Sequence, residues 1–170
     1  MNVGGKHYRT IWLSADGRSV EIIDQTKFPH RFETVTLRTA NDAARAIKDM
    51  VVRGAPLIGA TAAYGMALAA REDAGDANLA KAYDLLHATR TTAINLRWAL
   101  DQMMITLKPL PPAAREAAAY RRAAEIADED VEINRAIGRA GLAIVKEIAA
   151  RKKPGDRINI LTHCNAGWLA

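Results

Sequence analysis

Cysteine is almost absent from this chain: its 170 residues include one, Cys164. A single thiol excludes an internal disulfide framework and fits a reducing, cytoplasmic compartment. Aromatic residues make up only 5% of the chain and offer little surface on which bases could stack. The net charge is +5 and the isoelectric point about 9.6. The basic residues are nevertheless mixed with acids, as where Arg121 and Arg122 are followed by Glu125, Asp128, Glu129 and Asp130. No nucleic-acid partner is expected from that pattern, and a phosphorylated small molecule is the more economical ligand for a basic protein.

Long apolar runs are also missing. The longest uncharged stretch, Gly54 to Ala70, is rich in alanine and glycine. It falls short of the ~20 strongly apolar residues of a membrane span and reads as a core helix. The first thirty residues alternate polar and apolar, without the apolar segment of a secretory leader. The four histidines, His7, His30, His87 and His163, lie far apart, and neither Cys-x-x-Cys nor His-x-x-x-His occurs. A metal site is therefore not expected, nor is a cofactor. Gly54 to Thr61 nearly spells a phosphate loop, but Ala60 stands where the lysine belongs, which excludes nucleotide hydrolysis.

What is present is the composition of a globular protein, 49% hydrophobic and 25% charged. A chain of this length buries roughly 70% of its unfolded surface. Three stretches are expected: antiparallel strands over residues 1–38, a helical domain over 39–153, and the start of an α/β domain over 154–170. Tyr8–Leu13 and Ser19–Ile23 read as strands joined through Asp16-Gly17, a hairpin signal, and Phe32–Arg38 as a third. At Thr39 the period changes to that of a helix, with Thr39 and Asp42 as an N-cap pair.

Pro56 starts a second helix, apolar nearly all round to Ala70. A third is expected over Ala77–Ala88 and a fourth over Thr92–Leu107. One or two more extend from Ala113 to Lys152 with Ile133, Ile137, Leu142, Val145 and Ile148 as an apolar stripe. Arg157–Thr162 reads as a strand covered on both faces. A lone buried strand cannot satisfy its backbone groups, so it is expected to open a parallel sheet whose other strands lie outside the chain.

Three places carry the residue types of a reactive site. Arg53 and Gly54 precede the helix started by Pro56, which sets free backbone N–H groups beside a bidentate cation, an anion site. A tight helix-to-helix turn with an exposed arginine accounts for the same residues equally well on local grounds. Arg90 precedes the fourth helix and offers a second phosphate contact; a solvated loop arginine is the alternative. Tyr64, Asn95 and Trp98 read as pocket wall or, more commonly, core. Cys164 follows a strand and precedes Asn165-Ala166-Gly167, where a helix start would favour the thiolate. It reads as a nucleophile or proton-transfer group, or else as a buried thiol. His163 is a poor base for it, because consecutive strand residues face opposite ways. The second proton-exchanging group is not found in the chain.

Several of these runs carry a resemblance: Asp24-Gln25-Thr26, Met50 to Pro56, Ala62-Ala63-Tyr64-Gly65, Arg90 to Leu100, and Thr162-His163-Cys164-Asn165-Ala166-Gly167. On them the chain resembles the N-terminal half of the methylthioribose-1-phosphate isomerases of methionine salvage. The resemblance implies conversion of 5-methylthioribose 1-phosphate, an aldose phosphate, to the ketose, 5-methylthioribulose 1-phosphate. It implies Cys164 as the catalytic thiol and Arg53, Gly54, Ala55 and Arg90 as substrate-binding residues. The partner aspartate would lie beyond Ala170, with most of a Rossmann-like sheet and much of a homodimer interface. The 170 residues alone would then be inactive or nearly so. Leu57, Thr91 and Trp168 depart from the family's usual alanine, proline and small residue. A non-catalytic regulatory subunit of the same superfamily, a ribose-1,5-bisphosphate isomerase, and a free-standing helical module binding a phosphorylated metabolite are the competing readings.

Overall fold

The computed structural model describes residues 2–163 and Gly167. Small antiparallel sheets are followed by a helical bundle, an α+β arrangement. β1 (Asn2–Val3) and β2 (Lys6–His7) form a two-stranded ribbon. β3 (Ile11–Leu13), β4 (Val20–Ile23) and β5 (Thr34–Leu37) form a three-stranded antiparallel sheet in that order. Ile11 pairs with Ile22, and Val20 pairs with both Leu13 and Leu37. In this register Ile11, Val20, Ile22 and Leu37 are buried. The β3–β4 turn is held by Asp16, whose carboxylate accepts from the backbone N–H of Arg18 and Ser19 at 2.8 Å each and from the Ser19 hydroxyl at 2.6 Å.

α1 (Ala40–Lys48) starts in a capping box: Thr39 Oγ1 accepts from the Asp42 N–H at 3.1 Å, and Asp42 Oδ2 accepts from the Thr39 N–H at 3.0 Å. α2 (Ala55–Glu72) lies at the centre of the bundle and packs against α1, α3, α4 and α5. Every residue from Leu57 to Ala70 is buried, as the absence of a polar face requires. The buried hydroxyl of Thr61 donates to the Leu57 carbonyl at 2.7 Å. α3 (Asp76–His87) and α4 (Ile94–Leu107) follow, and α5 (Pro112–Ala150) closes the bundle.

Arg115, 4% exposed, fixes the start of α5. It donates to the carbonyls of Leu110 at 2.9 Å and Ala74 at 2.8 Å, and it pairs with Asp76 at 2.7 Å.

Several expectations are corrected. The region after the proline break, expected as one or two helices, is a single helix of 39 residues, with no glycine or proline to interrupt it near Asp128–Asp130. Its stripe is not buried: Ile133, Ile137, Leu142 and Ile148 are exposed, since only the first half of α5 meets the bundle. Trp98 is 46% exposed rather than core. Arg157–Thr162 forms no strand, and Ile160 and Leu161 are 77% and 98% exposed. A strand needs a neighbour to receive its hydrogen bonds, and the β3–β4–β5 sheet does not extend to this segment. Among the described residues no helix is long and apolar enough to cross a membrane.

Candidate active site

The site is built around the start of α2. Gly54 caps the helix at φ 93°, a left-handed conformation that a Cβ would strain, and this turns the chain sharply out of the α1–α2 connection. Ala55 is then the first helical residue and Pro56 the second, where a missing N–H costs nothing. Arg53 is exposed. Its Nε donates to the Met50 carbonyl at 3.3 Å, and among the described residues it has no carboxylate partner. Cation and helix N-terminus therefore stand together with the guanidinium edge turned to solvent, suited to receiving an anion.

The start of α4 is held against the same end of α2. An ideal Cβ on Gly59 would lie 3.0 Å from the Asn95 carbonyl oxygen and 3.6 Å from the Ala99 Cβ. Asn95 is the second residue of α4 and Gly59 the fifth of α2. Both helix starts thus share one end of the bundle. Arg90 is exposed at the head of the turn into α4, where its carbonyl accepts from the Ala93 N–H at 3.0 Å. The structure records no contact between Arg53 and Arg90. Asn95 acts here through its backbone, and Tyr64 is buried core, where burial first, and Asp128 second, push its hydroxyl upward.

A cavity of about 680 Å³ opens beside the first turns of α2, within the range of small-molecule sites. Pro56, Leu57 and Ala60 form one wall, the segment His7–Ile11 a second, and α5 from Ala127 to Arg135 a third. Gly167 also lines it. Cys164, three residues earlier in the chain, lies outside the described residues.

Two groups on these walls escaped sequence reading. Arg9 reaches across to α5, with Nη1 2.5 Å from Asp128 and Nη2 donating to the Ala127 carbonyl at 3.0 Å. Asp130, half-buried, accepts from the Asn134 amide at 3.1 Å. Burial pushes its carboxyl up, against the hydrogen bond from Asn134 and the charge of Arg9. No motif marks them, because 119 residues separate Arg9 from Asp128. Among the described residues no group of three or more His, Cys, Asp and Glu side chains is placed to hold a metal ion.

A family model described as the initiation factor 2 subunit family matches residues 51–170, from the Arg53 turn to the C-terminal run. The chain belongs to the initiation factor 2 subunit family. Within the family it is 63% identical over 170 residues to a methylthioribose-1-phosphate isomerase of Rhizobium meliloti, with all of this chain and 47% of the relative covered. To the enzyme of the same name from Paramagnetospirillum magneticum it is 65% identical over 171 residues, with 46% of that relative covered. The chain spans about half the length of the curated relatives it matches. Two solved structures share its fold. The 5-methylthioribose 1-phosphate isomerase of Pyrococcus horikoshii matches with a TM-score of 0.68 and 37% identity, over 75% of this chain and 38% of that one. The delta subunit of translation initiation factor eIF-2B from A. fulgidus matches with a TM-score of 0.67 and 38% identity, over 74% and 38%. The proteins this chain is similar to thus include both named isomerases and a translation initiation factor subunit.

Proposed function

We propose that this chain is the N-terminal portion of an isomerase that converts 5-methylthioribose 1-phosphate to 5-methylthioribulose 1-phosphate. The observation that carries this reading is the 63% identity along all 170 residues to relatives bearing that enzyme's name. The geometry is consistent with it: an anion-suited helix start, a second helix start with its own arginine, and a cavity beside the first of them.

In this reading Gly54 and Ala55 offer backbone N–H groups to the C1 phosphate while Arg53 adds a charged fork. Arg90 supplies a second cation from the α4 side. A phosphate on C1 blocks ordinary opening of the furanose to an aldehyde, so ring opening needs acid–base assistance. Hydrogen then moves from C2 to C1, through an enediolate or as a hydride, and the aldose becomes a ketose with no net gain or loss of atoms. Cys164 is the thiol for this chemistry, partnered by an acid that the chain does not contain.

Residues 1–38, 39–153 and 154–170 are, on this reading, a strand region, a helical domain and the opening of a Rossmann-like domain. Arg157–Thr162 becomes a strand once parallel neighbours are supplied. The complete enzyme works as a homodimer in the cytoplasm, on a sugar phosphate rather than on nucleic acid or membrane. The match to a translation factor subunit favours one second reading, a non-catalytic assembly subunit.

The two readings separate on turnover. The native gene product, whatever its length, should isomerise 5-methylthioribose 1-phosphate, and Cys164→Ser should lower kcat at least ~100-fold with an unchanged melting temperature. Arg53→Ala should raise KM about 10- to 100-fold, as expected when a charge-assisted hydrogen bond is lost. Absence of turnover in the wild type would leave the assembly reading.

A further inference from the structure

The outer half of α5 is amphipathic, and among the described residues its apolar side has no cover. Ile133, Ile137, Ile144 and Ile148 are exposed. They recur at steps of four, seven and four, which sets them along one side of a helix of 3.6 residues per turn. Arg135, Arg139 and Lys146, at steps of four and seven, fall on the opposite side. Charges there are served locally, since Arg135 pairs with Glu132 and, further along, Arg151 with Glu147. A contiguous exposed apolar face marks an interaction surface. It also runs on from the candidate cavity: Asp130 and Asn134, which line that cavity on α5, precede Ile137 at steps of four and three on the same side of the helix. Whatever covers the isoleucines therefore lies beside the cavity's α5 wall.

Two occupants compete for this face. A second copy would bring like charge against like, because residues 131–153 hold Arg135, Arg139, Lys146, Arg151, Lys152 and Lys153 against only Glu132 and Glu147. Polypeptide following residue 170 has the advantage of a tether. The Rhizobium meliloti relative aligns along this whole chain with only 47% of its own length covered. The chain leaves α5 at the end of the isoleucine row, through a turn in which the Asp156 N–H donates to the Lys153 carbonyl at 3.0 Å. Ile160 and Leu161, next along it, are exposed as well. A segment joined by a short linker meets its surface at an effective concentration on the order of mM, against which a free copy competes poorly.

We propose that the row Ile133, Ile137, Ile144 and Ile148 is the docking surface for the portion of the same polypeptide that follows residue 170. This rests on the reading of the chain as an N-terminal portion, and it assigns the surface on which the remainder is seated.

The test is maleimide labelling of the native gene product carrying Ile137→Cys or Ile144→Cys, with Arg139→Cys as the variant on the opposite side of the helix. The unsubstituted protein supplies the background from Cys164, and the intact mass is read from the same samples. In a product longer than this chain, the thiols of Ile137→Cys and Ile144→Cys should react at least ~10-fold more slowly than that of Arg139→Cys. The slowing should not depend on protein concentration, and it should vanish in denaturing urea. Equal rates at all three positions in a longer product overturn the proposal while the N-terminal-portion reading stands. Slowing that is lost on dilution overturns it in favour of a second copy. A native mass of 18.5 kDa, that of this chain, removes the N-terminal-portion reading and this proposal with it. The two isoleucine positions are read separately, so failure of one variant to fold leaves the other to decide.

Discussion

Gly59 and Asn95 bring the backbones of α2 and α4 together, with room for a hydrogen but not for a side chain: a Cβ on Gly59 would stand 3.0 Å from the Asn95 carbonyl oxygen. The obstacle is backbone, which cannot swing aside as a side chain can. Both arginine-bearing helix starts depend on this approach.

Gly59→Val should therefore force the helices apart. Overpacking of a filled core costs about 1–3 kcal/mol, and for a chain of this size ~2 kcal/mol lowers the melting temperature by about 4–8 °C. Thermal unfolding followed by circular dichroism measures it. A melting point equal to wild type would mean that α4 slides without cost and that the contact does not fix the site.

Arg115→Met should cost more than its position at a helix start suggests. The guanidinium, itself buried, supplies donors to the partly buried carbonyls of Leu110 and Ala74. Methionine preserves the packing of the stem but leaves these acceptors unmet, at about 1–3 kcal/mol for each group. Its acidic partner Asp76 has an 82% exposed side chain and stays solvated in the variant. A urea midpoint lowered by roughly 3 kcal/mol in total is expected; a loss below about 1 kcal/mol would show that water enters to serve the carbonyls.

Acid should loosen the β3–β4 turn. The hydroxyl of Ser19, and then the backbone N–H groups of Ser19 and Arg18, hold the Asp16 carboxyl down at about 2 from the ordinary 3.8. Its folded pKa is depressed, so its contribution is complete above the ordinary value and is lost as pH falls from near 4 toward 2. Asp42 follows the same sign: burial pushes its carboxyl up, but the hydrogen bonds from Arg38, Thr39 and Arg45 outweigh this and lower it. Asp16→Asn should reduce the fall of melting temperature between pH 4 and pH 2 without abolishing it. An identical pH profile in the variant would exclude the turn as a source of acid sensitivity.

Local chemistry was legible in the sequence wherever a few neighbouring residues decide it. The Asp16-Gly17 turn, the Thr39–Asp42 cap and the helix starting at Pro56 are of this kind, each settled by hydrogen bonds within a handful of residues. The β1–β2 ribbon is of the same local kind, turning at the Gly4-Gly5 pair. Relations across the fold were not legible. Arg9 meets Asp128 only because α5 crosses behind the N-terminal segment, and Arg115 is buried only because α3 begins above it. The apolar stripe of α5 has a helix's period whether or not anything covers it, so periodicity could not tell a buried face from an open one. Arg157–Thr162 has the composition of a strand, yet composition supplies no neighbour to pair with. The site divides the same way: Arg53, Gly54 and Arg90 stand in recognisable local settings, while Asp130 and Asn134 acquire a cavity only from the packing of distant segments.

One helix therefore contains two mechanical regimes. At 1.5 Å per residue α5 is roughly 58 Å long, and its buried residues run only from Arg115 to Ala127. Amide protons there can exchange only when the bundle opens, whereas beyond Val131 the same ladder of hydrogen bonds is backed by little more than its own turns. Within this chain, protection from solvent deuterium should fade along one continuous helix, beginning at the end of the buried stretch and before the first of its glycines, Gly138.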